Sequence, residues 1–111
     1  MNFQQAVTSC LQKYVGFDGR ASRSEFWWFV LAQILISLVA SFLHSTLGSI
    51  VSLLLFLPSI AAGARRMHDI GKTGWLQLVG IIPVLGWILI IYWFVQPTQP
   101  EANKYGEPPT A

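Results

Sequence analysis

Residues 26–43 read FWWFVLAQILISLVASFL and residues 47–64 read LGSIVSLLLFLPSIAAGA, with only His44-Ser45-Thr46 between them. A third apolar run, WLQLVGIIPVLGWILIIYWFV, occupies residues 75–95. None of the three contains Asp, Glu, Lys, Arg or His. At about 1.5 Å per helical residue such runs reach roughly 27–32 Å, the thickness of a bilayer's hydrocarbon core. The whole chain of 111 residues is 53% hydrophobic and 11% charged, against roughly 25% charged in an average soluble domain. Too little polar chain remains to cover three helices that are apolar all round. The expected fold is an all-α membrane protein: a three-transmembrane-helix bundle, residues 1–111 forming a single integral membrane domain.

Charge placement sets the orientation. Lys13, Arg20 and Arg23 precede the first run, and Arg65, Arg66 and Lys72 lie between the second and third. The turn at 44–46 has no Lys or Arg. Short basic loops stay in the cytoplasm, so a cytoplasmic N-terminus and an external turn are expected. The net charge of +2 thus flanks the spans instead of forming a patch on a folded domain. No nucleic acid is expected as partner; the lipid bilayer and its anionic headgroups are.

Cofactor and metal signals are weak. Cys10 is the single cysteine, which excludes an intrachain disulfide and a paired-thiolate metal site. His44 and His68 fall on opposite sides of the membrane in this topology, so no metal site is expected. Gly71-Lys72-Thr73 is similar to the end of a phosphate-binding loop, but Arg66 stands where that loop needs glycine. No cofactor and no catalytic set is expected. The first fifteen residues lack the pattern of a cleavable signal, so the first span would act as an uncleaved insertion signal.

Around the runs, Phe3, Ala6, Val7, Cys10, Leu11 and Tyr14 recur at helical spacing within residues 2–15. This segment is too polar to span and is expected to be an N-terminal amphipathic interfacial helix. Ser22 and Glu25 have capping-box spacing. Ser37, Ala40 and Ser41 on the first span face Gly48, Ser52, Ser59 and Gly63 on the second as the expected close contact. Pro58 should kink the second span, with neighbouring helices or serines such as Ser59 occupying the freed backbone groups. The helix is expected to continue to Gly71. Residues 75–95 are expected to make one kinked passage, because a half-helix of about ten residues covers only half a bilayer. The alternative folds back at 83–86 and returns the tail to the cytoplasm. The polar tail, residues 96–111, holds four of the six prolines and is expected to be extended unless it docks.

One polar cluster converges at the inner interface. The simple reading is positive-inside topology with solvated ion pairs. The sharper reading takes Arg20, Arg23, Arg65, Arg66 and Lys72 as an anion or headgroup site, since guanidinium binds phosphate bidentately. Glu25, His68 and Asp69 then form the accompanying polar cluster, with Glu25 paired to Arg65 or Arg66. Topology needs no acids, so these acids argue for specific pairs. His68 and Asp69 are neighbours about 100° apart on a helix and do not obviously converge as an acid–base pair.

The stretches Phe17-Asp18-Gly19-Arg20-Ala21-Ser22-Arg23-Ser24-Glu25-Phe26-Trp27-Trp28 and Ala64-Arg65-Arg66-Met67-His68-Asp69-Ile70-Gly71-Lys72-Thr73-Gly74-Trp75 resemble the small bacterial inner-membrane proteins grouped as "domain of unknown function 805". Ile82-Pro83 with Gly86, and Asn103-Lys104-Tyr105-Gly106 with Pro108, extend the likeness from about residue 15 to the end. Met67 stands where leucine is expected and Thr73 where serine is common. The resemblance implies a bacterial inner-membrane location and an ordered, docking tail; it implies no activity.

The function expected is a non-enzymatic interaction or assembly subunit whose arginine-rich inner face meets headgroups or a partner. Three spans bury little surface among themselves, so a homo-oligomer or a membrane-protein partner is expected. The alternatives are a subunit of a small transporter or channel, with Gln33, Gln77 and the 83–86 break at membrane depth, and a membrane enzyme using His68 and Asp69 on a lipid-linked phosphate.

Overall fold

The computed structural model describes residues 2–109. Helix α1 (Phe3–Gln12) opens the chain. Asn2 and Gln5 cap it reciprocally: the Asn2 side chain accepts from Gln5 N at 2.8 Å, and the Gln5 side chain accepts from Asn2 N at 3.1 Å. The helix is shorter than residues 2–15 because the chain turns after Lys13, where Gly16 N donates to Lys13 O at 2.9 Å. Ala6 and Cys10, one turn apart, are buried, and Phe3 packs edge-on against Trp28.

Helices α2 (Arg23–Leu43) and α3 (Ser45–Asp69) form an antiparallel hairpin around one residue, His44. His44 closes α2 and caps α3, its ring accepting from Thr46 N at 3.1 Å. At the other end of α2, Ser22 accepts from Glu25 N at 3.2 Å. The reciprocal half of the expected capping box is replaced, because the Glu25 carboxylate turns inward to Arg65. Helix α3 ends in a paired C-terminal motif: Gly71 N donates to His68 O and Lys72 N to Met67 O. Gly71 takes the left-handed conformation this ending requires, with φ +78°.

One expectation about the hairpin needs correction, at Gly63. Ser41 does meet a glycine, since a Cβ on Gly48 would lie 2.0 Å from Ser41 Oγ and 2.9 Å from its Cα. Gly63 instead faces Gln77 and Phe94, so its small size admits the C-terminal part of the chain and not α2. Pro58 lacks the N–H that would satisfy Leu54 O. The Tyr14 hydroxyl, from the segment that follows α1, donates to that carbonyl, a role expected of neighbouring helices or of serines such as Ser59.

The single passage over residues 75–95 is also overturned. A 3-10 helix (Gly74–Ile81) runs in, the chain reverses at 82–84, and α4 (Leu85–Phe94) runs back. Pro83 interrupts backbone donation, and Val84 adopts φ +64° at the reversal. Glycine allows the two arms to touch: a Cβ on Gly86 would sit 1.9 Å from Val79 O. Trp87 Nε1 donates to Gly80 O at 3.0 Å and ties the arms together. The tail therefore returns to the end of the molecule that holds Arg20 and Asp69.

The apolar core lies at that same end, around Phe26, Phe29, Ala62, Met67 and Phe94, with Cys10 from α1. The far half of the α2–α3 hairpin is apolar and bare, and Phe42 is 90% exposed. Only α2 and α3 are both long and apolar enough to cross a membrane among the described residues.

Candidate functional site

Helix α4 ends with backbone carbonyls that no fourth turn can satisfy. It has no basic residue in its own last turn, so cations from other elements cap it. Arg66 Nε donates to Phe94 O at 3.0 Å, and Arg66 Nη2 donates to Gln96 O. Trp27 Nε1 also donates to Phe94 O at 3.0 Å, and Arg23 Nη1 to Val95 O at 3.1 Å. Positive charge at a helix C-terminus is favoured by the dipole. The sequence of α4 thus makes a vacancy that α2 and α3 fill.

Asp69 links this cap to the tail. Its Oδ2 accepts from Arg66 Nη1 at 2.9 Å and from Thr98 Oγ1 at 2.6 Å. Its Oδ1 accepts from Arg20 Nε at 3.0 Å, with the two side chains 0% and 1% exposed. Arg20 then grips four carbonyls: Asp69 O at 3.2 Å, Gln99 O at 2.7 Å, Glu101 O at 3.0 Å and Gly106 O at 3.1 Å. Asn103 adds a bond to His68 O at 3.0 Å. The tail is ordered over the described residues because guanidinium replaces the water its carbonyls would otherwise bind.

A second buried pair joins α3 to the N-terminal segment. Arg65 Nη1 meets Glu25 Oε2 at 2.7 Å, and Arg65 Nε donates to Gly16 O at 2.9 Å. Glu25 also accepts from Ser9 Oγ at 3.1 Å and from Cys10 Sγ at 3.7 Å. Burial, with the Glu25 charge second, pushes the Cys10 thiol from 9.0 up to about 11. Arg65 Nη2 is buried and has no hydrogen-bond partner among the described residues.

The five cationic candidates therefore divide. Arg20, Arg65 and Arg66 are buried and aim at carboxylates and carbonyls of their own chain. Arg23 is exposed, and Lys72 is half-buried with its ammonium 5.9 Å from the Trp93 ring centre. Glu25 and Asp69 are the internal counter-ions. His68 stands apart from Asp69: its Nδ1 donates to Gly19 O at 2.8 Å, and its ring stacks on Tyr105 at 3.9 Å. The two neighbours serve different partners and form no acid–base pair. Among the described residues, no three His, Cys, Asp or Glu side chains are grouped to hold a metal ion.

Sequence reasoning missed Tyr14, Ser9, Thr98 and Gln99. Backbone carbonyl acceptors have no signature in composition or spacing. The Asn103-Lys104-Tyr105-Gly106 stretch was the one signal that the tail is built to dock.

The family model described as "Protein of unknown function (DUF805)" matches residues 14–107. Inner membrane protein YhaH of Escherichia coli (strain K12) is 37% identical over 110 residues, covering 89% of this chain and 91% of that protein. Inner membrane protein YhaI of the same strain is 34% identical over 112 residues, covering 95% of each. No solved structure matches the chain.

Proposed function

The chain belongs to the DUF805 family, and we propose that it is a non-enzymatic assembly subunit of the bacterial inner membrane. In this reading α2 and α3 cross the bilayer, α1 lies at the cytoplasmic interface, and the Gly74–Ile81 and Leu85–Phe94 arms re-enter without crossing. Both described ends are then cytoplasmic, in keeping with Arg20, Arg65 and Arg66 on that side.

One observation supports the role most directly. Three buried arginines lock segments from across the chain into a single polar cap. Such a cap is a fixed platform suited to holding a partner, and its strongest anion-binding groups are already matched internally. Headgroup contact falls to the outward cations Arg23, Lys13 and Lys104. The bare apolar faces of α2 and α3 suit lipid, a second copy or a membrane-protein partner.

Crosslinking in native membranes, followed by identification of what co-purifies, tests the role. The expected result is a discrete homo-oligomer or one stoichiometric membrane-protein partner. Recovery of monomer alone would sink the assembly reading. A transporter subunit is the second reading, supported by the break at 82–84, because broken helices commonly line solute paths. Solute flux in proteoliposomes separates the two.

A further inference from the structure

A cavity of about 480 Å³ opens between the C-terminal half of α3 and the 3-10 helix. That volume lies within the range of small-molecule sites. Its two ends differ chemically. His68 and Thr73 stand at the cap end, while Ile60 and Leu78 line the other end, further along α3 and the 3-10 helix. Ile60 is two turns before His68 on α3, about 12 Å along the helix axis. Phe17 and Trp75 contribute aromatic walls, and no Lys, Arg, Asp or Glu lines the cavity.

The histidine is set for a ligand. Gly19 O can only accept, so His68 Nδ1 carries the hydrogen in that bond. In the neutral ring Nε2 is then an acceptor. Nε2 faces Gly74 on the cavity wall, 3.7 Å from where a Cβ there would stand. It has no partner among the described residues. Stacking on Tyr105 and the Gly19 bond fix the ring, so its direction is built in. Thr73 Oγ1 accepts from Trp75 N at 3.4 Å, leaving its hydrogen to donate. Gln77 directs its amide nitrogen to Ile60 O and Gly74 O, which holds the cavity's two walls together.

We infer that this cavity binds a neutral amphiphile with a hydroxyl head and an apolar body. The hydroxyl donates to His68 Nε2 and accepts from Thr73, and the body lies along Ile60 and Leu78. An anionic head finds no cation in the lining, which argues against a phospholipid phosphate or a fatty-acid carboxylate. The inference rests on α3 crossing the bilayer as proposed above, but not on the assembly role.

The test is photolabelling of the purified full chain in detergent with a diazirine-bearing long-chain alcohol. Saturable labelling of peptides containing Phe17, Trp75 or Leu78 is expected, displaced by an unlabelled alcohol of equal length. Short-chain diacylglycerol and an alkyl hydroquinone, compared as competitors, identify which kind of hydroxyl head the site prefers. Ile60→Trp fills the cavity and is expected to abolish saturable labelling; Leu78→Trp, at an exposed position, does the same if Ile60→Trp fails to fold. His68→Phe keeps the stacked ring but is expected to weaken alcohol binding about three- to tenfold, the worth of one neutral hydrogen bond. Non-saturable labelling spread along α2 and α3 would overturn the inference, as would labelling unchanged in both tryptophan variants. A fatty acid of equal chain length is the anionic competitor, and stronger competition by it than by the alcohol overturns the neutral head.

Discussion

Replacing Asp69 with asparagine removes the one negative charge shared by Arg20 and Arg66. The variant keeps the side-chain shape, but it presents at best one carbonyl oxygen where two oxygens now accept three hydrogen bonds. All three partners in the two ion pairs are nearly or fully buried. Removing one member of a buried pair costs about 3–5 kcal/mol, because a charge is left without compensation. Here two guanidiniums lose the same counter-ion, so the upper part of that range applies. At about 1.4 kcal/mol per factor of ten, cap opening should rise by roughly three to nearly four powers of ten. Total stability is about 5–15 kcal/mol for an ordinary domain, so the cap should open while α2 and α3 remain helical. Trypsin cleavage at the exposed Lys104 reads the opening, and circular dichroism reads the helices. Asp18→Asn, at an exposed position, is the control. Cleavage at the wild-type rate in Asp69→Asn, with unchanged melting, would refute the claim that Asp69 joins the tail to the bundle.

Tyr14→Phe leaves Leu54 O unsatisfied and is expected to cost about 1–3 kcal/mol by melting in detergent; in a Pro58→Ala background the restored N–H should remove most of that cost, and simple additivity would dismiss the pairing. Gly86→Ala places a Cβ 1.9 Å from a backbone oxygen and should destabilise the packing of the 3-10 helix on α4 by about 1–3 kcal/mol or more, whereas Gly80→Ala meets only the flexible end of Ile90 at 3.0 Å and should be mild; equal melting temperatures would mean the arms do not pack as described. A cysteine at Ser45 should react with an impermeant thiol reagent in intact cells and one at Ala102 only after permeabilisation, while labelling of both in intact cells would restore a third crossing. Cys10, with its thiol pushed up to about 11, should alkylate at pH 8 on the order of a hundredfold slower than a thiol at 9.0, its rate rising about tenfold per pH unit up to pH 10 because the thiolate reacts; a plateau by pH 9 would contradict the buried placement.

The two long helices and their tight turn were legible because apolar length has one main physical meaning when charge is absent. The Glu25–Arg65 pair was legible for a related reason: antiparallel helices bring those ends to one depth, and an acid there had no topological purpose. Residues 75–95 misled because a helical hairpin and a kinked span have the same composition. Pro83 and Gly86 mark a break, but only Gly86 pressed against Val79 O decides its angle. The anion-site reading failed to anticipate inward-facing arginines for a similar reason. Charge can be counted from side chains, whereas the carbonyls that absorb it appear only once α4 ends beside α3. Tyr14 was read as one more apolar-face residue, since its acceptor lies 40 positions away.

The grip of Arg20 on Gln99 and Gly106 also has a consequence for the timing of biosynthesis. These partners are 79 and 86 positions apart. At about 5–20 residues per second, roughly 4–17 s of translation separate them. Asp69 emerges 49 positions after Arg20; from then on the two can meet, but the carbonyls that complete the coordination of Arg20 do not yet exist. The newborn hairpin therefore holds a half-matched guanidinium until Gln99 and Gly106 emerge. Completion of the cap reports that the chain has been made through its tail, and a prematurely ended product would display buried charge to the cell's proteases.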